Sequence, residues 1–442
     1  MKLTLIILNS WHANIKNDWF GFNSRGGYAP IALRILGSLI PKDLDIDVDY
    51  LDENIERINF DAIAADMVGI SVLTPNAPRA YQISDSLRRR GITVVLGGYH
   101  VTVMPQEALN HADSVVIGFA EKSFPMLLHD FASGNLKKTY SEPFEDSFVN
   151  HKPLAHNPEN YAKKYLIPNA LETSRGCNNC CNFCVIPTFN SQYVQKPVAS
   201  VIEEIRFLQS KRIVFLDFSP FENFDYAMEL FEAIKPLKIK WYSCLTTRVA
   251  ENHELVEKAA RSGCAGVLIG FESINVSSLA GGNKMINRPL EYAKITSNLQ
   301  RHKILVLGSF IFGFDEDDNT VFRNTLDFIV ESKIDLLHYA IVTPFPGTKL
   351  FDRLQAENRI LTYDWAKYDG TRVVYTPAKM TAQELQNGFF YIYKKSHTLP
   401  SIFRRMTNSQ SNLVVKLATN LGFRLYINSF IKQYKREKDN VY

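Results

Sequence analysis

Over the first 130 residues, short apolar runs alternate with stretches whose apolar positions recur at helical spacing. The runs at 3–8, 46–51, 67–73, 93–97 and 114–117 read as five strands, because they are brief, β-branched and bounded by turn residues. Strands linked by helical crossovers predict a doubly wound parallel sheet of Rossmann-like type over residues 1–140. Ligands of such sheets lie beyond the carboxyl ends of the strands. Here those ends carry Asn9-Ser10-Trp11-His12, residues 71–76, Gly97-Gly98-Tyr99-His100 and Gly118-Phe119. Their glycines allow close backbone approach by a ligand.

From about 131 the periodicity fades into a polar stretch holding Lys152-Pro153 and Asn157-Pro158, and residues 141–167 read as a linker. A second series then begins, with strands expected at 169–173, 212–218, 240–246, 266–271, 305–312 and 336–342 and helical segments such as 201–208 between them. Six β/α units in succession predict a partial parallel barrel over 168–376, with its chemistry at the carboxyl-terminal mouth. After Pro377 only helices and polar loops are expected, to residue 442. In that extension Leu413, Leu417, Leu421 and Leu425 recur every four residues and read as the face of a helix packed on the barrel, with a membrane-surface helix as the alternative.

At 442 residues and 46% hydrophobic content, the chain can bury large cores without staples. Its N-terminal apolar run is too short for a signal peptide, and no run approaches the roughly 18 residues needed to span a bilayer, so a cytoplasmic location is expected. The net charge of +4 conceals an uneven distribution, since residues 400–442 carry +6 and the preceding 399 residues carry −2. The body therefore shows no electrostatic footprint for nucleic acid.

Six cysteines stand at 177, 180, 181, 184, 244 and 264, so four fall within eight residues. Disulfide frameworks disperse their cysteines; this crowding indicates a metal or redox site in a reducing compartment. Cys177, Cys181 and Cys184 give a C-x3-C-x2-C spacing, and three thiolates on one loop can hold three irons of a cubane while leaving the fourth open to a ligand. Cys180 complicates the pattern, because 177/180 and 181/184 also form two C-x2-C pairs of the kind that bind zinc. Adjacent pairs would strain a tetrahedral site, whose second pair usually stands a dozen or more residues away. Cys180 is then a bystander or an alternative ligand. Cys244 and Cys264, in or beside apolar strands, read as small buried hydrophobes.

The run Glu172-Thr-Ser-Arg-Gly-Cys177 ahead of that spacing, with Phe183 just before the last cysteine, resembles cobalamin-binding-domain radical S-adenosylmethionine (SAM) proteins. The likeness continues through Gly270-Phe-Glu-Ser273, the segment from Gly308 to Gly313 with Glu316, and Thr343-Pro-Phe-Pro-Gly-Thr348. In the first domain it covers Ser71-Val-Leu-Thr-Pro75, Gly97-Gly-Tyr-His-Val-Thr102 and Val116-Ile-Gly-Phe-Ala-Glu121. The stretch Asp364-Trp-Ala-Lys-Tyr-Asp369 resembles the extension of the subgroup that includes hopanoid carbon methylases.

The resemblance implies a 4Fe-4S cluster on Cys177, Cys181 and Cys184, whose open iron is chelated by the amino and carboxylate groups of SAM. It places Phe183 and Gly313 against adenine and Asp217 and Glu272 on other parts of SAM. Asp217 lacks the acidic neighbour that family members often show, so a capping carboxylate is its alternative, and Glu272 can equally pair within the barrel. No D-x-H-x-x-G motif occurs, so cobalamin is expected without a histidine on cobalt. Leu73, Thr74 and Asn76 are expected beneath the corrin, and Gly97, Gly98 and Tyr99 beside its nucleotide tail. His12 and His100 read as hydrogen-bonded structure rather than as ligands.

The implied reaction is radical carbon methylation. One SAM methylates reduced cobalamin, a second yields a 5′-deoxyadenosyl radical, and the substrate radical takes the methyl group. A radical oxidation, cyclisation or rearrangement is the alternative within the family, and a scaffold that binds metal and corrin without catalysis is the alternative outside it. A flavodoxin or ferredoxin-type reductant and a lipid or other natural-product substrate are expected, with possible peripheral membrane contact through the basic tail.

Overall fold

The computed structural model describes residues 1–9, 26–143, 164–189, 192–406 and 412–439. Ser10, Trp11, His12, Pro153 and Pro158 lie outside them. In chain order the first eight strands are β1 Lys2–Ile7, β2 Gly26–Tyr28, β3 Asp47–Asp52, β4 Met67–Ser71, β5 Thr93–Gly97, β6 Ser114–Ile117, β7 Thr139–Ser141 and β8 Tyr165–Ile167. The rest are β9 Ala170–Leu171, β10 Ser174–Arg175, β11 Val194–Gln195, β12 Arg212–Phe215, β13 Lys240–Leu245, β14 Cys264–Glu272, β15 Leu305–Phe312 and β16 Leu336–Ile341.

The first sheet has the order β3-β1-β4-β5-β6-β7, all parallel, with an apolar core on each face. All five expected strands are present. The sixth, β7, escaped the apolar pattern because an edge strand needs only one buried side chain, here Tyr140. Strand β8, within the stretch read as linker, pairs with β2, and the Tyr165 hydroxyl donates to Asp52 at 2.6 Å.

The second sheet runs β16-β15-β14-β13-β12-β9, six parallel strands in the expected order. In β14, Val267, Ile269 and Phe271 pack against the outer helices, while Leu268, Gly270 and Glu272 on the other face stay only half-buried. Alternation of this kind identifies the lumen side of a curved sheet. The mouths of the two sheets face one another. Tyr99, just past β5, donates to the Pro346 carbonyl at 2.6 Å, past the end of β16. Trp365 and Tyr368, beyond the last strand, pack into the core of the first sheet.

Beyond residue 377, helices Ala382–Ser396, Leu399–Met406 and Leu413–Asp439 pack on the barrel. The last helix does so through a face other than the leucine stripe. Lys416, Asn420, Ile427, Phe430 and Ile431 are buried, whereas Leu413 and Leu425 are exposed. The reason is polar: Lys416 lies 3.3 Å from the buried Asp335 carboxylate, and Asn420 accepts from the buried Arg405 guanidinium at 2.7 Å. A buried charge needs its partner more than a leucine needs cover. Among the described residues, no helix is long and apolar enough to cross a membrane.

Candidate functional site

The cysteine loop is fixed at both ends. Gly176 enters it at φ +83°, and a Cβ there would stand 2.0 Å from the Gln192 carbonyl oxygen, so only glycine fits. Arg175, just before it, is buried. Its guanidinium donates to Glu172 at 2.7 Å and to Glu121 of the first domain at 2.5 Å, and it lies 4.8 Å from the Phe119 ring centre. The loop is thereby tied to the last helix of the first sheet by a buried, charge-assisted contact.

Within the loop, Cys177 and Cys184 are near enough to disfavour the ionisation of Cys181, and Cys177 that of Cys184. Burial pushes the Cys181 thiol up to about 11 and raises Cys184, while Lys284 opposes both shifts. Asn179 points its backbone N–H and side-chain amide at the Cys177 sulfur at 3.4 and 3.5 Å. Cys180 is exposed, and its carbonyl accepts from Asn283 at 2.8 Å. Among the described residues, no three His, Cys, Asp or Glu side chains converge on one metal ion. Three thiols on one loop, with N–H···S donors and a cation nearby, would suit a cubane, in which each thiolate meets a different iron.

Asp217 is neither solvated nor a helix cap. The following helix, Phe224–Ile234, is capped by Asn223. The Asp217 carboxyl is buried, and its Oδ1 accepts from the backbone N–H and hydroxyl groups of both Thr173 and Ser174. Its Oδ2 is buried without a hydrogen-bond partner among the described residues, and burial pushes the carboxyl up to about 6. Such an orphaned oxygen fits a ligand's N–H or ammonium group. Glu272 sits at a bulge at the end of β14 with φ +61°, its carboxylate 4.0 Å from the Lys284 ammonium. Burial raises its pKa, and Lys284 counters that. Phe183 and Gly313 border one narrow cleft of about 50 Å³, where Phe183 meets Phe314 edge-on at 5.6 Å.

In the first domain, a cavity of about 560 Å³ opens at the carboxyl ends of β4, β5 and β6. Leu73, Thr74, Gly97, Gly98 and Tyr99 all line it, as do Arg175 and Gly176 of the cysteine loop. Its floor runs between the sheet and its helices, along apolar residues such as Leu5, Ala32 and Phe124. Gly98 takes φ +100°, with space for no side chain beside Val72. Asn76 is the exception among the expected contacts. It is buried away from the cavity, accepting from the Leu73 N–H at 2.8 Å and donating to the Leu8 carbonyl at 3.3 Å, so it holds the Leu73 loop in place.

His100 is fully buried between Thr74, at 3.3 Å, and Glu107, at 3.2 Å. Trp365 donates to the same Glu107 carboxylate at 3.0 Å, and these donors hold the carboxyl below its usual range despite burial. The relay ends on a hydroxyl at the cavity wall. The sequence reading of His100 as hydrogen-bonded structure holds, but its partners Glu107 and Trp365, like the contacts of Glu121 and Lys284, were not seen, because each partner is distant in the chain.

Comparison with known proteins gives two domain matches, a B12 binding domain over residues 21–128 and the radical SAM superfamily over 171–329. Bacteriochlorophyllide d C-12(1)-methyltransferase of Chlorobaculum tepidum is 33% identical over 405 residues, which cover 87% of this chain and 86% of that protein. Bacteriochlorophyllide d C-8(2)-methyltransferase of the same organism is 30% identical over 92% of this chain and 93% of its own. Among solved structures, the radical SAM methyltransferase TsrM from Kitasatospora setae, with cobalamin and a [4Fe-4S] cluster bound, superposes with a TM-score of 0.66 at 18% identity, over 80% of this chain and 78% of that one.

Proposed function

We propose, since this chain belongs to the radical SAM superfamily in the branch that carries a B12 binding domain, that it methylates an unactivated carbon of a large, mostly apolar substrate. The chain is a cobalamin-dependent radical SAM methyltransferase, with a 4Fe-4S cluster, SAM and cobalamin as cofactors. Together these groups supply a radical able to take hydrogen from carbon and a methyl group for the carbon radical left behind.

The observation that carries the reading is that both flanks of the three-thiol loop, Arg175 and Gly176 on one side and Val185 and Ile186 on the other, line the 560 Å³ cavity of the first domain. Cys177, Cys181 and Cys184 would hold three irons. Asp217, through its unpartnered Oδ2, and Glu272 would receive the polar groups of SAM, with Phe183 and Gly313 flanking adenine. Leu73 and Thr74 would lie beneath the corrin, positioned by Asn76, and Gly97, Gly98 and Tyr99 would flank the nucleotide tail in the apolar floor. The first domain would span 1–140 and join through 141–167 to the radical SAM domain at 168–376, with 377–442 as its helical extension. A tetrapyrrole macrocycle is the first substrate class to test, because two relatives of 30% identity or more are named as bacteriochlorophyllide methyltransferases. A lipid is the second, favoured by the exposed leucines of the last helix. Electrons would come from a flavodoxin or ferredoxin-type partner.

Anaerobic reconstitution with iron, sulfide and hydroxocobalamin, followed by metal and corrin counts and a dithionite assay for 5′-deoxyadenosine, tests this directly. Four irons, one corrin and SAM cleavage are expected. Cys181→Ala should lose cluster and cleavage together while Cys180→Ala keeps both. Cleavage without bound corrin would overturn the assignment of the first domain.

A further inference from the structure

The turn after helix Val276–Gly281 is built onto the cysteine loop. Asn182 donates through its backbone N–H to the Gly282 carbonyl at 3.1 Å and through its side chain to the Gly281 carbonyl at 3.0 Å. Asn283 answers by donating to the Cys180 carbonyl at 2.8 Å. The next residue, Lys284, donates its backbone N–H to Leu279 at 2.8 Å, and its side chain is only 16% exposed. Its ammonium has one charge partner among the described residues, Glu272 at 4.0 Å, the outer limit of an ion pair, and no hydrogen bond to it is present there.

A largely buried ammonium with unfilled donors is costly unless a compensating charge is near. Glu272 holds the side chain without satisfying it. Glu272 first, and after it Cys181, Cys177 and Cys184, are the groups whose charge acts on the Lys284 ammonium. A cluster on three thiolates brings net negative charge to this place, and one further electron adds to it. Fixed charge close to an iron–sulfur cluster is one of the protein's levers on its reduction potential.

We propose that Lys284 is the counter-charge of the cluster, a positioning residue whose ammonium, steadied by Glu272, favours the state that has accepted one electron from the external reductant. This rests on the cluster site proposed above. Glu272 has the opposite sign and moderates the effect, so the pair sets the potential between two limits.

The test is a spectroscopic redox titration of the reconstituted cluster without SAM, using the full chain with iron content matched between variants. Lys284→Gln should lower the reduced-to-oxidised ratio at a fixed potential at least tenfold, a shift of about 59 mV for one electron. Lys284→Arg should restore most of it, and Glu272→Gln should move the ratio the other way. Should Lys284→Gln not assemble a full cluster, the Glu272→Gln shift still decides. An unchanged potential beside weakened SAM binding would overturn the proposal and make Lys284 a substrate ligand only. Failure of the underlying reading looks different, since the wild-type protein would then hold no four-iron cluster to titrate.

Discussion

At the scale of single residues, the buried carboxyls near the barrel mouth set a pH response. Asp317 accepts from the Ser278 hydroxyl at 2.6 Å and from the Gly313 and Phe314 N–H groups at 2.9 and 3.1 Å, yet burial pushes it from 3.8 up to about 6. A carboxyl raised on folding binds its proton more tightly in the folded state, so its contribution is full below about pH 4 and is lost as pH rises to about 6. Relative to Asp317→Asn, the metal-free wild-type protein should lose up to about 3 kcal/mol across that window. Urea unfolding of both proteins at pH 4.5 and 7.5 reads this, and a constant gap between them would show that the carboxyl is ionised throughout. The crowding of the cysteines was legible because their spacing is local in sequence. Asp217 was half legible: its position after a barrel strand marked it, but four donors from Thr173 and Ser174 converging on one oxygen are a tertiary fact.

At the scale of elements, the wall of the large cavity is braced by the segment that follows the barrel. Trp365 reaches Thr74 through Glu107 and His100, so three elements distant in sequence share one hydrogen-bond chain. Trp365→Phe removes the indole N–H, whose hydrogen bond is worth about 1 kcal/mol, together with part of a buried ring. Hydroxocobalamin affinity measured by absorbance titration should fall three- to tenfold, with a lower melting temperature. Equal affinity would make the relay a structural brace that the cofactor does not sense. The strands were legible wherever both faces are buried, and boundaries drifted only at their ends, as at 212–218 against the observed Arg212–Phe215. The missed β7 and β8 are three-residue edge pieces, too short to show a period.

At the scale of the whole molecule, the leucine periodicity in the last helix was read from the sequence, but the face it lies on was not. The buried face is chosen by Lys416 and Asn420, polar residues that a hydrophobic pattern discounts. The leucines left outside share the helix with Lys432, Lys435 and Arg436, a combination suited to an anionic lipid surface. Flotation with anionic vesicles should recover the wild-type protein and lose Leu425→Glu; equal flotation of the two would remove membrane contact from the account. The buried link from Lys416 and Arg405 to the Asp335 segment, just before β16, also orders events during synthesis. The N-terminal sheet can form as it leaves the ribosome, but the last barrel strand is preceded by a carboxylate whose cation arrives some eighty residues later. Until the far end of the chain is translated, that carboxylate has no cation to meet it.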